Sequence, residues 1–178
     1  MSSKMPQTRP EPVQLIKQRR DAALADLVKS IPYIQFLGVH FDRRGDELTA
    51  VLSYRDSLIG NPALPALHGG ATAAFLEVAA VMELGWANLW RQMENNQDKA
   101  SAPASSPVIK IPKTIDFTVD YLRSGLPRDA YARAKVTRSG RRYASVFVEA
   151  WQDNRTHTFA QATGHFLMPD LTDRASKV

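Results

Sequence analysis

The sequence predicts an α+β domain: a curled antiparallel sheet wrapped around one long central helix, with an extra N-terminal helix. Residues 69–93 are apolar, alanine-rich and of helical length, whereas the hydrophobic pattern after Ile109 has the period of two that is typical of half-buried strands. Two further strands precede the long helix. Alanines at alternate positions of two late strands leave room for a helix to lie close to the sheet.

Length and composition favour one globular domain. The chain has 178 residues, of which 44% are hydrophobic and 23% charged, enough for a substantial core. It has no cysteine, which excludes a catalytic thiolate, a disulfide framework and cysteine-ligated zinc. The N-terminal segment lacks the apolar region of a signal peptide, and no stretch is typical of a membrane span, so we expect a cytoplasmic protein without membrane contact. The net charge of +5 suits an anionic small molecule, and no nucleic-acid-binding module is recognisable.

The chain divides into a main domain and three accessory segments. Residues 1–12 are polar and proline-rich, and we expect them to be flexible. Residues 13–31 form the N-terminal helix and residues 32–169 the single main domain. Residues 94–107 are rich in Ser, Ala and Pro and are predicted to be a flexible insert, and residues 170–178 a C-terminal tail. The insert is not a domain boundary, because neither side of it is a complete fold.

Each element has its own signal. Apolar side chains at helical spacing predict the first helix, and these are Val13, Ile16, Ala23, Leu27 and Ile31. A hairpin turns at Gly45, and residues 57–67 are predicted to be a loop because they contain glycine and two prolines. The turn signals Ser139-Gly140 and Asp153-Asn154 separate the late strands, which are therefore expected to be consecutive and antiparallel.

One local pattern indicates chemistry. Asn61 is followed by His68-Gly69-Gly70 and then by an apolar helix interrupted by Glu77, and no Asp, Glu, Lys or Arg lies between Ser57 and Leu76. A carboxylate in such surroundings is unfavourable unless it is paired or used. A His-Gly-Gly run that opens a helix presents free backbone N–H groups, which favour negative charge. Together these features suit hydrolysis of an acyl compound.

The pattern resembles the hotdog-fold acyl-CoA thioesterases, in particular the phenylacetic-acid-degradation type, over roughly residues 31–168. The resemblance rests on the order and spacing of Asn61, His68-Gly69-Gly70, Glu77, Thr114-Ile115-Asp116-Phe117, Tyr121-Leu122-Arg123 and Gly140-Arg141-Arg142. Many members of this type carry Asp at the acid position, where this chain has Glu, as other hotdog thioesterases do. The interval between Asn61 and His68 is one residue longer than the family pattern.

The resemblance implies a role for each matching residue. The Gly69 N–H would polarise the thioester carbonyl, and Glu77 would attack it directly or activate water. Asn61 would position water or substrate, and Thr114 would supply a hydroxyl near the acid. His68 would contact the substrate or form a structural hydrogen bond.

The resemblance also implies an acyl-CoA substrate. Gly70 is expected beside the bound substrate, and Arg123, Arg141 and Arg142 are candidates for the phosphates of coenzyme A. Coenzyme A enters only as part of the substrate, and we predict no metal or other cofactor.

Helix geometry predicts a homodimer. Gly69 and Glu77 are separated by roughly 12 Å along one helix, yet both must reach one carbonyl group within about 3 Å. Two antiparallel helices, one from each subunit, meet that requirement. The resemblance supports shared sites, and a dimer of dimers is expected from the family.

Other interpretations stay open. A His-Gly-Gly run is often only a turn before a helix, Glu77 could be a structural carboxylate, and Thr114, Arg141 and Arg142 could be ordinary strand or turn residues. The alternative function is a non-catalytic acyl-CoA-binding module or sensor. A hotdog dehydratase is disfavoured because the sequence lacks that branch's Asp-x-x-x-x-His run. Aryl and medium-chain acyl groups are both compatible with the sequence.

Overall fold

The computed structural model describes residues 12–97 and 110–169. Its helices are α1 (Val13–Lys29), α2 (Pro32–Leu37) and α3 (Gly69–Gln97). Its strands are β1 (Val39–Arg44), β2 (Glu47–Leu52), β3 (Ile59–Asn61), β4 (Ala66–Leu67), β5 (Lys113–Tyr121), β6 (Ala130–Ser139), β7 (Tyr143–Trp151) and β8 (Ala160–Leu167).

Six of these strands form one antiparallel sheet in the order β1-β2-β6-β7-β8-β5, while β3 and β4 form a separate small hairpin. The long helix α3 lies against one face of the sheet and contacts five of its strands. The predicted fold class, with its central helix and additional N-terminal helix, is therefore confirmed. In this arrangement β1 and β5 are the two edge strands of the sheet.

Small side chains on the sheet let α3 approach closely. The inward positions of the central strands are fully buried and are dominated by alanine, namely Ala130, Ala132, Ala144, Ala150 and Ala160. Larger residues of the helix fill the space that remains, and Phe75, Leu76 and Met82 are almost completely inaccessible to solvent. This complementary packing of large and small residues fixes the position of the helix relative to the sheet.

The N-terminal helix packs onto the same core. Leu24 and Leu27 are its buried residues, and the Leu27 side chain lies 3.7 Å from the position that a Cβ on Gly85 would take. Val13, the first residue of this helix, is 80% exposed. The helix ends at Lys29, and Ser30 caps it by donating to the Leu27 carbonyl.

Two boundaries differ from the sequence prediction. The central helix continues to Gln97, so the first residues of the predicted 94–107 insert are helical. Its remaining residues, like most of the predicted 1–12 segment and the 170–178 tail, lie outside the described ranges. Residues 57–67, predicted to be a loop, contain a short 3₁₀ turn at Asp56–Leu58 and the β3–β4 hairpin.

The central helix is long and apolar. By length and composition alone, its segment Gly69–Glu94 would be able to cross a membrane. More than half of the most apolar 18-residue window of this segment is buried in the fold, which is the position of a core helix.

Candidate active site

The site begins where the β3–β4 hairpin leads into α3. The His68 N–H donates to the Leu58 carbonyl at 2.7 Å, and the Thr72 N–H donates to the His68 carbonyl at 3.0 Å to start the helix. Gly60 packs directly against His68, since a Cβ at Gly60 would lie 2.9 Å from the His68 Cα. The hairpin therefore fixes the backbone that precedes the first helical turn.

The side chain of His68 caps the helix. The Gly70 N–H donates to His68 Nδ1 at 2.9 Å, so the neutral imidazole carries its proton on Nε2. The Gly69 N–H has no acceptor in the part of the chain that the structure describes. One donor of the first turn is thus engaged and its neighbour is left for a ligand. The N–H of Gly70, predicted to lie beside the substrate, is occupied by His68.

Tyr121 supports this turn from the sheet. Its hydroxyl donates to the Gly69 carbonyl at 2.8 Å, and its ring lies 3.5 Å from the position of a Cβ on Gly69. Tyr121 is the last residue of β5 and is 55% exposed. From the sequence, Tyr121 was recognised only as part of the family pattern, because an aromatic residue at a strand end is otherwise typical of core packing.

The carboxylate of Glu77 is held by Thr114. The Thr114 hydroxyl donates to Glu77 Oε1 at 2.6 Å, and Glu77 is half-buried. No ion pair to Glu77 is found among the described residues, so its surroundings do not supply the charged partner that a purely structural carboxylate would need. The structure thus brings Thr114 and Glu77 together, as the family resemblance implied.

A β-bulge turns Thr114 towards the helix. Thr114 pairs with the buried Phe166, yet Asp116 pairs with His165, so one extra residue lies between the two pairs. In a regular strand, residues three positions apart lie on opposite faces, so Thr114 would have been on the face of β5 opposite to Phe117. The bulge reverses that assignment and creates the contact with Glu77.

Gly69 and Glu77 lie towards opposite ends of β5 within one chain. Tyr121, at the end of β5, contacts Gly69, whereas Thr114, near its beginning, contacts Glu77. One subunit therefore does not bring the free N–H and the carboxylate together. This agrees with the separation expected from the rise of the helix.

Asn61 is in the hairpin that leads to His68. It ends β3, pairs with Ala66 of β4, and its Oδ1 accepts the Ala63 N–H at 3.0 Å. Its side-chain N–H groups have no acceptor in the described chain. Asn61 is exposed. Because it pairs with β4, which leads into α3, it lies near the start of that helix.

The three candidate arginines lie at different ends of the subunit. Arg123 lines a cleft of about 340 Å³ together with Leu67, Tyr121 and Thr72, next to the start of α3. Arg141 and Arg142 are exposed in the turn between β6 and β7. That turn is at the end of the sheet where β5 begins, close to Thr114, because Ala144 and Thr114 both pair with Phe166.

Glu83 is a second half-buried carboxylate on α3 and was not among the predicted site residues. Burial raises the pKa of Glu83 to about 7 from 4.5, and no hydrogen bond or ion pair reaches its side chain in the described residues. It is six residues after Glu77, about 240° around the helix, and so faces another direction. Like Glu77, Glu83 is flanked by apolar residues in the sequence, and that pattern could have identified it as a candidate.

Metal ligands were not expected. Within residues 12–97 and 110–169, no group of three or more His, Asp or Glu side chains is arranged to hold a metal ion.

Comparison with known proteins identifies the family. The family model of the acyl-CoA thioesterase N-terminal domain matches residues 60–167, a range that contains every predicted site residue. The medium/long-chain acyl-CoA thioesterase YigI of Escherichia coli is 29% identical over 143 residues, which are 79% of this chain and 88% of YigI.

Solved structures share the fold. A protein of Chromobacterium violaceum is 32% identical with a TM-score of 0.59, and the match covers 89% of this chain and 99% of that one. A phenylacetic acid degradation-related protein of Ralstonia eutropha is 18% identical, with a TM-score of 0.58 over 82% of this chain and 99% of that one. The resemblance inferred from the sequence is therefore confirmed: this chain belongs to the acyl-CoA thioesterase family and is a thioester hydrolase with the hotdog fold.

Proposed function

We propose that the protein hydrolyses acyl-CoA to a free acid and CoA at sites shared between two subunits. In each site the Gly69 N–H of one subunit polarises the thioester carbonyl, and Glu77 of the other acts as general base or nucleophile. The observation that carries this proposal is the pair of contacts at the two ends of β5, Tyr121 with Gly69 and Thr114 with Glu77.

The edge position of β5 supports a symmetric dimer. An edge strand presents unpaired backbone groups that favour pairing with another chain. If β5 pairs antiparallel with its copy, the Thr114 end of one strand meets the Tyr121 end of the other. That pairing brings Glu77 of one subunit towards Gly69 of its partner, as a two-fold interface requires.

The chemistry follows from these groups. In the general-base route, Glu77 takes a proton from water, whose oxygen attacks the carbonyl carbon. The oxyanion that forms accepts a hydrogen bond from Gly69, a kind of donor whose loss typically costs about 3 kcal/mol. The intermediate then expels the CoA thiolate, which is protonated to the thiol. In the nucleophilic route, Glu77 attacks the carbonyl carbon and the C–S bond breaks, so that the CoA thiolate leaves and is protonated to the thiol. Water then hydrolyses the mixed anhydride between Glu77 and the acyl group.

Residues near the start of α3 complete the site. The protonated Nε2 of His68 and the side-chain amide of Asn61 are donors for the carbonyl oxygen or the attacking water. Gly70 contributes space, because a side chain there would press on the His68 ring, with its Cβ 3.0 Å from Nδ1. Thr114 orients the Glu77 carboxylate.

The coenzyme A phosphates need cations. Arg123 lies at the Gly69 end of a subunit, and Arg141 and Arg142 lie at the Glu77 end. In the proposed dimer these ends come together, so all three arginines are candidates for the phosphates. No metal or prosthetic group takes part in this mechanism.

The name of the E. coli relative directs the choice of acyl group. Because that protein is a medium/long-chain acyl-CoA thioesterase, medium- and long-chain acyl-CoA are the first substrates to test here, with aryl-CoA as the comparison. A dimer of dimers and a cytoplasmic location stay predictions.

Substitution of Glu77 tests the reaction. Glu77→Gln keeps the size of the side chain and an oxygen for Thr114 but removes the base, so we expect release of free thiol from acyl-CoA to fall at least about 100-fold. Glu83→Gln is a matched control on the same helix and should hydrolyse at the wild-type rate. Equal rates for Glu77→Gln and wild type would remove Glu77 from the mechanism. A wild type that binds CoA without releasing thiol would favour a binding module.

Mixing two inactive variants tests the shared site. Gly69→Pro removes the N–H at the first helical position, where proline is tolerated, whereas Gly69→Ala adds a Cβ but keeps that N–H and is the control. Co-expression of Glu77→Gln with Gly69→Pro should restore about a quarter of the wild-type activity, since half of the dimers would contain one intact site. No recovery, with heterodimers demonstrated by two affinity tags, would show that each site is built within one subunit.

A further inference from the structure

A second, larger cleft lies beside the end of the connection between β5 and β6, where Arg128 and Asp129 line it. It has a volume of about 720 Å³, and three aromatic side chains line it, Tyr54, Tyr131 and Trp151. The rings of Tyr131 and Trp151 stack at 6.2 Å, and the Arg155 guanidinium lies 5.3 Å from the centre of the Trp151 ring. Trp151 is buried beneath these neighbours, whereas Tyr131 and Tyr54 are half-buried and are the rings that a ligand would meet.

This cleft is built from interlocked segments. The Asp129 carboxylate accepts the Tyr54 N–H at 2.7 Å and so joins the end of β2 to the start of β6. Gln152 holds the connection between β5 and β6, because its side chain bonds both the N–H and the carbonyl of Leu126 at 2.8 Å and the Arg128 carbonyl at 3.1 Å. A wall fixed by these four hydrogen bonds is suited to a ligand site.

The larger cleft is close to the one beside Gly69. Gly125 lines the smaller cleft and Arg128 the larger one, and the three-residue step between them spans at most about 10 Å. In CoA, the pantetheine arm and the diphosphate separate the sulfur from the adenine by a long flexible chain. When the thioester of acyl-CoA is held at Gly69, the nucleotide of the same molecule can therefore reach across this short segment into the larger cleft.

The charges in the cleft favour a base over a phosphate. Its ionisable acid and arginine side chains are Arg128, Asp129 and Asp153, a net charge of −1, and Arg128 is itself paired with Asp153 at 2.5 Å. A phosphate would be repelled there, whereas the amino group of adenine and the free 2′-hydroxyl of the ribose can donate to carboxylates. Aromatic rings offer stacking surfaces to a purine, a contact that is typically favourable for any base.

We propose that the cleft between Tyr54 and Tyr131 is the subsite for the adenine of the acyl-CoA substrate. The base stacks on Tyr131, its donors face Asp129, and the phosphates stay outside on the side of Arg123. This inference rests on the proposed function, since it concerns the substrate of that same site. It makes Tyr131 a substrate-binding residue that acts on affinity and has no role in the bond-breaking step.

Truncated substrate tests the subsite. Wild type should prefer acyl-CoA to the matching acyl-pantetheine in kcat/KM, and Tyr131→Ala should reduce that preference about tenfold, the typical effect of losing one stacked base. Tyr131→Phe keeps the ring and should keep the preference. Lys135→Ala, an exposed position of β6 outside the cleft, is the control and should behave as wild type.

A binding measurement covers the case in which Tyr131→Ala does not fold. Adenosine 3′,5′-bisphosphate, the nucleotide part of CoA, should quench the tryptophan fluorescence of the wild type, and Trp151→Phe should remove that signal. The same nucleotide should inhibit acyl-CoA hydrolysis competitively.

The outcomes separate the subsite from the function. Equal kcat/KM for the two substrates, an unchanged preference in folded Tyr131→Ala, or purely noncompetitive inhibition would overturn the adenine subsite and leave the thioesterase intact. If neither substrate is hydrolysed, the proposed function fails, and the subsite then stands or falls on the fluorescence titration.

Discussion

The hydrogen bond between Thr114 and Glu77 gives the sharpest test of how the carboxylate is oriented. Thr114→Val replaces the hydroxyl with a methyl group of similar size and leaves Glu77 in place. The bond is short, at 2.6 Å, and its acceptor is a carboxylate, and such bonds are typically worth about 1.5–3 kcal/mol. If that energy is needed to hold Glu77 in its reactive orientation, kcat should fall by about 10- to 100-fold.

The assay is free-thiol release from a medium-chain acyl-CoA, with kcat and KM measured separately. Because Thr114 acts through Glu77 and does not bind the substrate itself, the loss should be in kcat, with KM little changed. Thr114→Ser restores the hydroxyl and should recover most of the activity. A Val variant as active as wild type, or a Ser variant as impaired as Val, would refute the positioning role.

Two further predictions concern the groups around the site. Tyr121→Phe removes the bond to the Gly69 carbonyl, typically worth about 1 kcal/mol, so kcat/KM should fall about fivefold in the same assay without loss of the circular-dichroism spectrum. For Glu83, the folded chain has the higher pKa, about 7 against 4.5, so its contribution to stability is present below pH 4.5 and declines as pH rises to about 7, by up to ~3 kcal/mol. Glu83→Gln should therefore resist urea better than wild type at pH 8 and equally at pH 4, and an equal urea midpoint at both pH values would contradict this.

Periodic patterns predicted the architecture well. The long apolar stretch became α3, and the alternation after Ile109 became strands that present alanines to the helix. Both predictions depend on hydrophobic patterns that extend over many residues, so a local irregularity does not remove them. The predicted end of α3 was less accurate, because the polar residues after Met93 continue the helix without an apolar pattern that would indicate it.

Short or irregular features could not be predicted in this way. The β3–β4 hairpin has too few residues to show a period, and its two prolines indicated only a loop. The bulge in β5 shifts the alternation by one residue, so the period alone would have directed Thr114 away from Glu77. Only the resemblance to a family supplied that contact.

The two carboxylates of α3 show why composition cannot identify a catalytic acid by itself. Glu77 and Glu83 both interrupt apolar sequence on one helix, and both are half-buried. Their partners differ: Glu77 accepts a hydroxyl hydrogen bond from a neighbouring strand, whereas Glu83 has no partner in the described chain, and burial raises its pKa to about 7. A buried carboxylate without a partner is partly neutralised near physiological pH, because burial disfavours its charged form. The reactive candidate is therefore the one that the tertiary structure holds in place, and that information depends on the strand pairing that delivers Thr114.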